Sequence, residues 1–341
     1  MRALQLIAAE EIRVHDVPVP DLGANDVLVR VAGAGLCHSD LHVLHMPAWP
    51  VLPMTMGHET AGWVASCGSA VTGYAEGDAV LVGLVWACGR CRACVEGRDN
   101  ACLAVAGVPP CPGLGPDGGM AEFIRVPTRH LHPLGALDPI TAGPLADAGI
   151  TAYHAIEGAR HRLSPGATAV VIGAGGLGHV ALQILRTTSS VRVVAVDVSR
   201  DKLDLARHSG ADETVLSDSG APSAIRAITD GHGADVVLDF VGAQATVTLA
   251  TSIVAPDGAL RFVRLGGGTF EFSASPVSPL PWGVDVRRSY AGTRRDQRAV
   301  IELAKAGKLT VETRTYALED GLQAFADLDA GAVSGRAVLV P

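Results

Sequence analysis

No long run of lysine or arginine occurs in this 341-residue chain, whose net charge is −8. It therefore lacks the electrostatic footprint of a nucleic-acid binder. It also lacks the sparse hydrophobicity of a disordered chain, with 48% of residues hydrophobic and 18% charged. Nothing at the N-terminus has the pattern of a secretory signal. Ala3 to Ala9 is short, interrupted by Gln5 and halted at Glu10-Glu11, which suits a first β-strand. One uncharged stretch, Ser164 to Leu185, has the length of a membrane helix. It carries five glycines after Pro165 and loses its β-branched character halfway, so strand, glycine turn and helix is the better reading. No membrane partner is expected. The seven cysteines are an odd number for a disulfide framework, and four of them are bunched, which favours a reducing, cytoplasmic setting.

The length allows two domains of ordinary size. Residues 1–35 alternate as strands do, around Leu4 and Leu6, Ile12 and Val14, and Val27 to Val31, with a Pro- and Gly-bearing loop from Asp16 to Asn25. Strands continue at Thr60 to Ala65, Asp78 to Val85 and Ala121 to Val126.

Within this β-rich region, Cys37 to Glu59 gathers a thiol, imidazoles and carboxylates in 23 residues: Gly35-Leu-Cys37-His38-Ser39-Asp40-Leu-His42, then Gly57-His58-Glu59. A catalytic zinc takes three such ligands and leaves a fourth place open. On these residues alone, a buried cysteine beside a satisfied histidine explains the stretch equally well. Asp147, in Pro144-Leu-Ala-Asp147-Ala-Gly-Ile-Thr151, reads locally as a helix N-cap. The most specific signal is Cys88-x2-Cys91-x2-Cys94-x7-Cys102. Four thiolates on one loop make a closed, structural zinc site; an iron–sulfur cluster is the rival, though no proline follows the last cysteine.

The second landmark is Thr168 to Leu185. Here Gly173-Ala-Gly175-Gly176-Leu177-Gly178 directly follows an apolar strand and opens a helix, the context in which Gly-x-Gly-x-x-Gly cradles a pyrophosphate on the helix N-terminus. A further strand, Val191 to Val196, ends in Asp197, twenty-four residues after Gly173. An acid there accepts from ribose hydroxyls and repels a ribose phosphate, favouring NAD, while nearby Arg200 is the one feature that would suit NADP. Helix and strand alternate onward: a helix Lys202 to Ser209, a strand Ala211 to Leu216, a helix Ala221 to Asp230, and strands Asp235 to Gly242 and Ala259 to Leu265. That alternation predicts a doubly wound parallel sheet. After about residue 292 the pattern is mixed and closes in a short strand, Arg336 to Val340.

Taken together, these motifs resemble the zinc-dependent medium-chain alcohol dehydrogenases over essentially the whole chain, most of all the bacterial NAD-dependent secondary-alcohol, ketone-reducing branch. Asp239-Phe240-Val241-Gly-Ala-Gln244 and Gly335-Arg336 add to the match. The resemblance implies an α/β protein with a β-rich GroES-like catalytic domain (residues 1–148 and 293–341) and a Rossmann NAD-binding domain (149–292). It implies a catalytic zinc on Cys37, His58 and Asp147, with Glu59 as occasional ligand, and a structural zinc on Cys88, Cys91, Cys94 and Cys102. Asp147 stands where many relatives carry cysteine, and its harder oxygen gives the metal less charge. Asp40 would orient His58, Ser39 would touch the substrate oxygen, and His42 would relay the proton. Otherwise His42 is only a polar side chain on a short helix. His38, Thr151, Lys202, Phe240, Val241, Leu265, Gly266 and Arg336 match cofactor positions.

The implied activity is that of an alcohol dehydrogenase, interconverting secondary and some primary alcohols with ketones or aldehydes by hydride transfer to and from NAD. Trp49, Trp86 and Leu114 are candidates for an apolar substrate pocket or for ordinary core. A homotetramer or homodimer is the implied assembly. Two other readings stand beside this one: a polyol dehydrogenase of the same superfamily, and a non-catalytic NAD-binding protein whose cysteine lobe serves partner contacts.

Overall fold

The alternation of short apolar segments in the first 135 residues becomes eight strands in the computed structural model, which describes residues 1–341 except Pro50, Leu265 and Pro276. The expectation for Leu265 thus lies outside the described residues. The strands are β1 (Arg2–Ala8), β2 (Glu11–Asp16), β3 (Asp26–Leu36), β4 (Met54–Thr55), β5 (Glu59–Cys67), β6 (Ala79–Val82), β7 (Phe123–Pro127) and β8 (Leu131–Pro133). Then come β9 (Thr168–Ile172), β10 (Arg192–Asp197), β11 (Glu213–Leu216), β12 (Ala234–Asp239), β13 (Val254–Phe262) and β14 (Asp285–Arg288). The last two are β15 (Thr313–Ala317) and β16 (Arg336–Val340). The chain divides into two units, Met1–Ile150 with Ala291–Pro341, and Thr151–Tyr290.

The first unit holds a three-stranded sheet, β2-β1-β4, and a seven-stranded one ordered β15-β16-β3-β5-β6-β8, with β7 also on β3. Eleven-residue β3 is its spine. Val27, Val29 and Val31 alternate inward, and from there every residue to Leu36 is buried. Its first half pairs with β7 and its last residues with β16, Leu36 opposite Ala337, while β5 runs along the other side. The end of β3 thus delivers Cys37, and the start of β5 delivers Glu59, into one buried neighbourhood. Leu4, Leu6, Val29, Leu36, Met54, Met56, Phe325 and Leu339 belong to its apolar core.

The second unit is an all-parallel six-stranded sheet, β11-β10-β9-β12-β13-β14. From β9 the chain first adds β10 and β11 on one side and then crosses to add β12, β13 and β14 on the other, which makes a crevice at the C-terminal ends of β9 and β12. β9, Thr-Ala-Val-Val-Ile, is buried at every residue, as a central parallel strand must be. The helix Gly178–Thr188 follows and buries Val180, Ala181, Leu182, Ile184 and Leu185. Ser164 to Leu185 is therefore strand, turn and helix, and among the described residues no helix is long and apolar enough to cross a membrane.

Two expectations are corrected. The strand predicted at Ala259 to Leu265 instead begins at Val254 and ends at Phe262. Pro256-Asp257-Gly258 reads as a turn, yet the chain carries it as an irregularity in pairing with β12, with Asp257 at φ 60°. The tail is not merely mixed: Arg294–Lys305 is a twelve-residue helix opened by a capping box, Thr293 and Asp296 each bonding the other's backbone N–H.

Candidate active site and metal centres

Cys37 follows β3 and caps the short helix His38–Leu44, whose Asp40 accepts from the Cys37 backbone N–H at 2.8 Å. That bond fixes the turn presenting the thiol. Cys37 Sγ lies 3.4 Å from Asp147 Oδ2 and 3.7 Å from Ser39 Oγ. His58 Nε2 lies 3.7 Å from the same Asp147 oxygen, while its Nδ1 faces Asp40 Oδ1 at 3.3 Å. The latter pair is close but not aligned as a hydrogen bond, and both atoms are buried without one. Glu59 packs its carboxylate against the bare Cα of Gly35, where any Cβ would collide with it. This accounts for the glycine two residues before Cys37. One ligand atom from each of Cys37, His58, Glu59 and Asp147 lies within 4.8 Å of the others.

Arg336, from β16, reaches the same place. Its guanidinium donates to Glu59 Oε1 and, at 3.0 Å, to Asp147 Oδ2, and it is 3% exposed. Burial works against charge on Arg336, but Glu59, Cys37 and Asp147 outweigh it and hold its pKa above the ordinary value. Burial pushes the Glu59 carboxyl up to about 7, with Arg336 opposing and Asp147 adding to the rise. Asp147 goes the other way. Burial would raise it, yet the His58 hydrogen bond and charge, with Arg336, hold it below the usual carboxylate range. Burial likewise would lower His58, but Asp40, Asp147 and Cys37 keep it well above the ordinary histidine value.

Sulfur, nitrogen and oxygen donors buried this tightly, with orphaned atoms on His58 and Glu59, fit a divalent zinc. Three acidic donors, Cys37, Glu59 and Asp147, converge there with Arg336, a charge balance that a divalent cation suits.

The second cluster is a surface lobe. Cys91 and Cys94 sulfurs are 3.4 Å apart, and Cys88–Cys94 and Cys91–Cys102 are each 3.9 Å. None of the four forms a disulfide. Backbone N–H groups of Arg90 and Cys91 point at Cys88 Sγ, and that of Leu103 at Cys91 Sγ. Backbone donors from Cys94 and Leu103 bring Cys91 down to about 6, while burial and Cys91 push Cys94 up to about 12. Four sulfurs converging with N–H groups aimed at them suit a tetrahedral thiolate metal site.

The glycine turn after β9 leaves Gly175 open, with nothing within 4 Å of where a Cβ would stand. Asp197 ends β10 and accepts from Ala174 N at 2.8 Å and Ser199 N at 2.9 Å, so its carboxylate is fixed beside that turn. Phe240 and Val241 follow β12, and Val241 packs on Gly173. Gly266 lies against the Val241–Gly242 backbone. Lys202 donates its backbone N–H to Ser199 Oγ in the next helix, and Thr151 is buried at the start of this unit. Gly173, Gly175, Gly176, Leu177, Gly178, Asp197, Phe240, Val241 and Gly266 thus gather at one end of the parallel sheet. In the other unit, His38 and exposed His42 share the helix after Cys37. Trp49, Trp86 and Leu114 are partly buried against the core there.

A β-rich unit with a mixed-donor metal cluster and a thiolate lobe, joined in one chain to a Rossmann sheet, defines a zinc-type dehydrogenase. The comparisons agree. Residues 23–136 match the alcohol dehydrogenase GroES-like domain and residues 176–306 the zinc-binding dehydrogenase domain. The NAD-dependent alcohol dehydrogenase of Sulfurisphaera tokodaii is 35% identical, with both chains covered in full. The crystal structure of the alcohol dehydrogenase from Aeropyrum pernix superposes with TM-score 0.92 at 36% identity, again covering all of both chains. The D-arabinose dehydrogenase from Sulfolobus solfataricus gives 0.85 at 30%, covering 100% of this chain and 99% of that one. The chain belongs to the zinc-binding alcohol dehydrogenase family.

Sequence reasoning missed Arg129, which covers Gly89 of the cysteine lobe, and buried His130 and His132, which lie against Trp86 and Gly83. His130 stacks on Trp86 with ring centres 5.5 Å apart. No local motif announces them.

Proposed function

We propose that this chain interconverts secondary alcohols and ketones, and some primary alcohols and aldehydes, with NAD as hydride carrier. The observation that carries the reading is the buried convergence of Cys37, His58, Glu59 and Asp147 beside Ser39. Cys37, His58 and Asp147 would hold zinc, with Glu59 in reserve. Zinc bound there supplies Lewis-acid polarisation of a substrate oxygen. NAD supplies the hydride acceptor.

The chain's own residues do the rest. Ser39 Oγ accepts the substrate hydroxyl's hydrogen bond and takes its proton as its own hydroxyl proton moves on, and exposed His42 passes a proton out to solvent. Asp40 keeps the His58 ring turned, so that Nε2 faces the donor cluster. Arg336 offsets one negative charge of the Glu59–Asp147 pair, so that a divalent ion would balance the rest of the cluster. Asp197 accepts from the adenosine ribose hydroxyls and repels a ribose phosphate. The Gly173 to Gly178 turn cradles the pyrophosphate, with His38, Thr151, Lys202, Phe240, Val241 and Gly266 as further cofactor contacts. Trp49, Trp86 and Leu114 wall the substrate. A cytoplasmic homotetramer or homodimer, holding a second zinc on the four-cysteine lobe, is the working form, in keeping with seven cysteines that form no disulfide.

The 30% identity to a D-arabinose dehydrogenase favours one second reading, a polyol or sugar substrate. Both are tested by following NAD reduction with 2-propanol, 1-phenylethanol, sorbitol and D-arabinose. Turnover on the simple secondary alcohols supports the proposal. Turnover confined to sorbitol and arabinose replaces it, and none with any alcohol returns the chain to cofactor binding without catalysis.

A further inference from the structure

Four thiolates around a divalent zinc carry negative charge in excess of the metal's own. A site of that kind needs cationic or N–H donors around it if it is to hold the ion against loss to solvent. The cysteine lobe is met by an arginine from outside it. Gly89, between Cys88 and Cys91, has φ 71°, and its open Cα face is covered by the Arg129 guanidinium, so closely that a Cβ there would fall inside that group.

Arg129 comes from the 3-10 turn Thr128–His130 at the edge of the seven-stranded sheet. The turn is pinned on both sides. Thr128 N and Oγ1 donate to Asn25 O at 3.0 and 2.5 Å, Gly83 N donates to His130 O at 2.7 Å, and the His130 ring lies parallel to Trp86, two residues before Cys88. So placed, Arg129 makes no ion pair among the described residues, and its Nε is buried without a hydrogen-bond partner. Arg294 stands nearby in the same condition. Its backbone N–H reaches Asp99 Oδ2 at 3.2 Å, in the turn leading to Cys102, and its Nη1 is buried and unpartnered. A guanidinium nitrogen seldom stays buried without an acceptor or an anion near it.

We infer that Arg129 is the counter-cation of the Cys88–Cys91–Cys94–Cys102 metal site, a positioning residue that retains the ion by offsetting the charge of four thiolates. The inference rests on reading the four cysteines as a zinc site. It also gives Gly89 a reason, since only glycine accepts both the positive φ and a guanidinium lying flat on the backbone.

The test is zinc release from the holoenzyme into a colour-forming chelator, for wild type, Arg129→Gln and Arg129→Lys, with exposed Arg295→Ala as control. One zinc fraction should leave Arg129→Gln roughly 10–100-fold faster, the span that outer partners of metal ligands command. Arg129→Lys should recover most of the difference, while the other fraction leaves at the wild-type rate. Should Arg129→Gln fail to fold, wild type alone still decides: rising salt should speed release of the lobe zinc by screening the pair. Unchanged release in Arg129→Gln, equal loss in the Gln and Lys variants, or salt-independent release from wild type would overturn the inference. So would an Arg129-dependent rise in Tm with inorganic phosphate, which would make the guanidinium a receptor for a free oxyanion. Wild type holding one zinc or none, with the lobe thiols free to react, would instead defeat the four-cysteine reading itself.

Discussion

His130 and His132 should make this protein acid-labile in a defined window. Both are buried, at 6% and 4% exposure, beside arginines. Burial first, then Arg129 and Arg294, brings His130 down to about 3; burial, then Arg294, Arg298 and His130, brings His132 to about 3 as well. In the unfolded chain each titrates near its ordinary value of about 6.5. Between those values the unfolded chain binds protons that the folded chain refuses, so stability is whole above about pH 6.5 and falls as pH drops toward 3. At about pH 5 the unfolded state lies about one and a half units below its pKa, which costs about 2 kcal/mol per histidine and about 4 for both. His130→Phe keeps a ring on Trp86, and His132→Gln keeps a polar side chain beside Gly83. Urea unfolding followed by tryptophan fluorescence at about pH 8 and about pH 5 would give each protein's loss over this window. Carboxylates and thiols titrate alike in all of them and cancel in the difference. Each single variant should lose about 2 kcal/mol less than wild type, with some non-additivity because His130 helps depress His132. A double variant that loses as much stability as wild type would refute the reasoning.

Cys37→Ser should abolish turnover and remove one zinc while leaving Tm nearly unchanged; Cys94→Ser should instead cost solubility and Tm, because a structural site contributes folding energy directly. Metal analysis beside thermal melts separates the two, and one zinc or fewer in active, folded wild type would contradict the pair. Asp197→Gly should erode the preference for NAD over NADP in kcat/KM, and should also cost about 1–3 kcal/mol by leaving Ala174 and Ser199 N–H groups without their acceptor. Equal kcat/KM for both cofactors in wild type would sink the role of Asp197. For alcohol oxidation, Ser39→Ala should be far more damaging than His42→Gln, whose loss should be greatest near neutral pH. Superimposable pH profiles for wild type and His42→Gln would return His42 to the solvated surface.

What was legible in the sequence is what local spacing encodes. Strand, glycine turn, helix and terminal acid are all near neighbours, so the Rossmann sheet could be read from Thr168 to Asp197. Four cysteines within fifteen residues announce their lobe the same way. The mixed-donor cluster was half visible: Cys37, His58 and Glu59 share one stretch, but Asp147 joins them only through the fold and looks locally like a helix cap. Arg294–Lys305 escaped because its buried side includes Asp296 and Gln297, the latter bonding Leu145 O at 3.0 Å, which breaks the apolar period. Arg336 could not be assigned its carboxylate neighbours from sequence, since it meets Glu59 and Asp147 through the fold rather than along the chain.

The pairing of β16 with the end of β3 also sets an order of assembly. Leu36 and Ala337 are hydrogen-bonded neighbours separated by three hundred residues, and between them the chain spells out the whole of Thr151–Tyr290. A ribosome delivers that continuous unit, able to fold as it emerges, long before it delivers β16. Until then the end of β3 lacks its β16 partner, and Glu59 and Asp147 lack the Arg336 guanidinium. Vectorial synthesis therefore leaves the metal-binding unit as the last part of the protein to close, and the most dependent on protection while it waits.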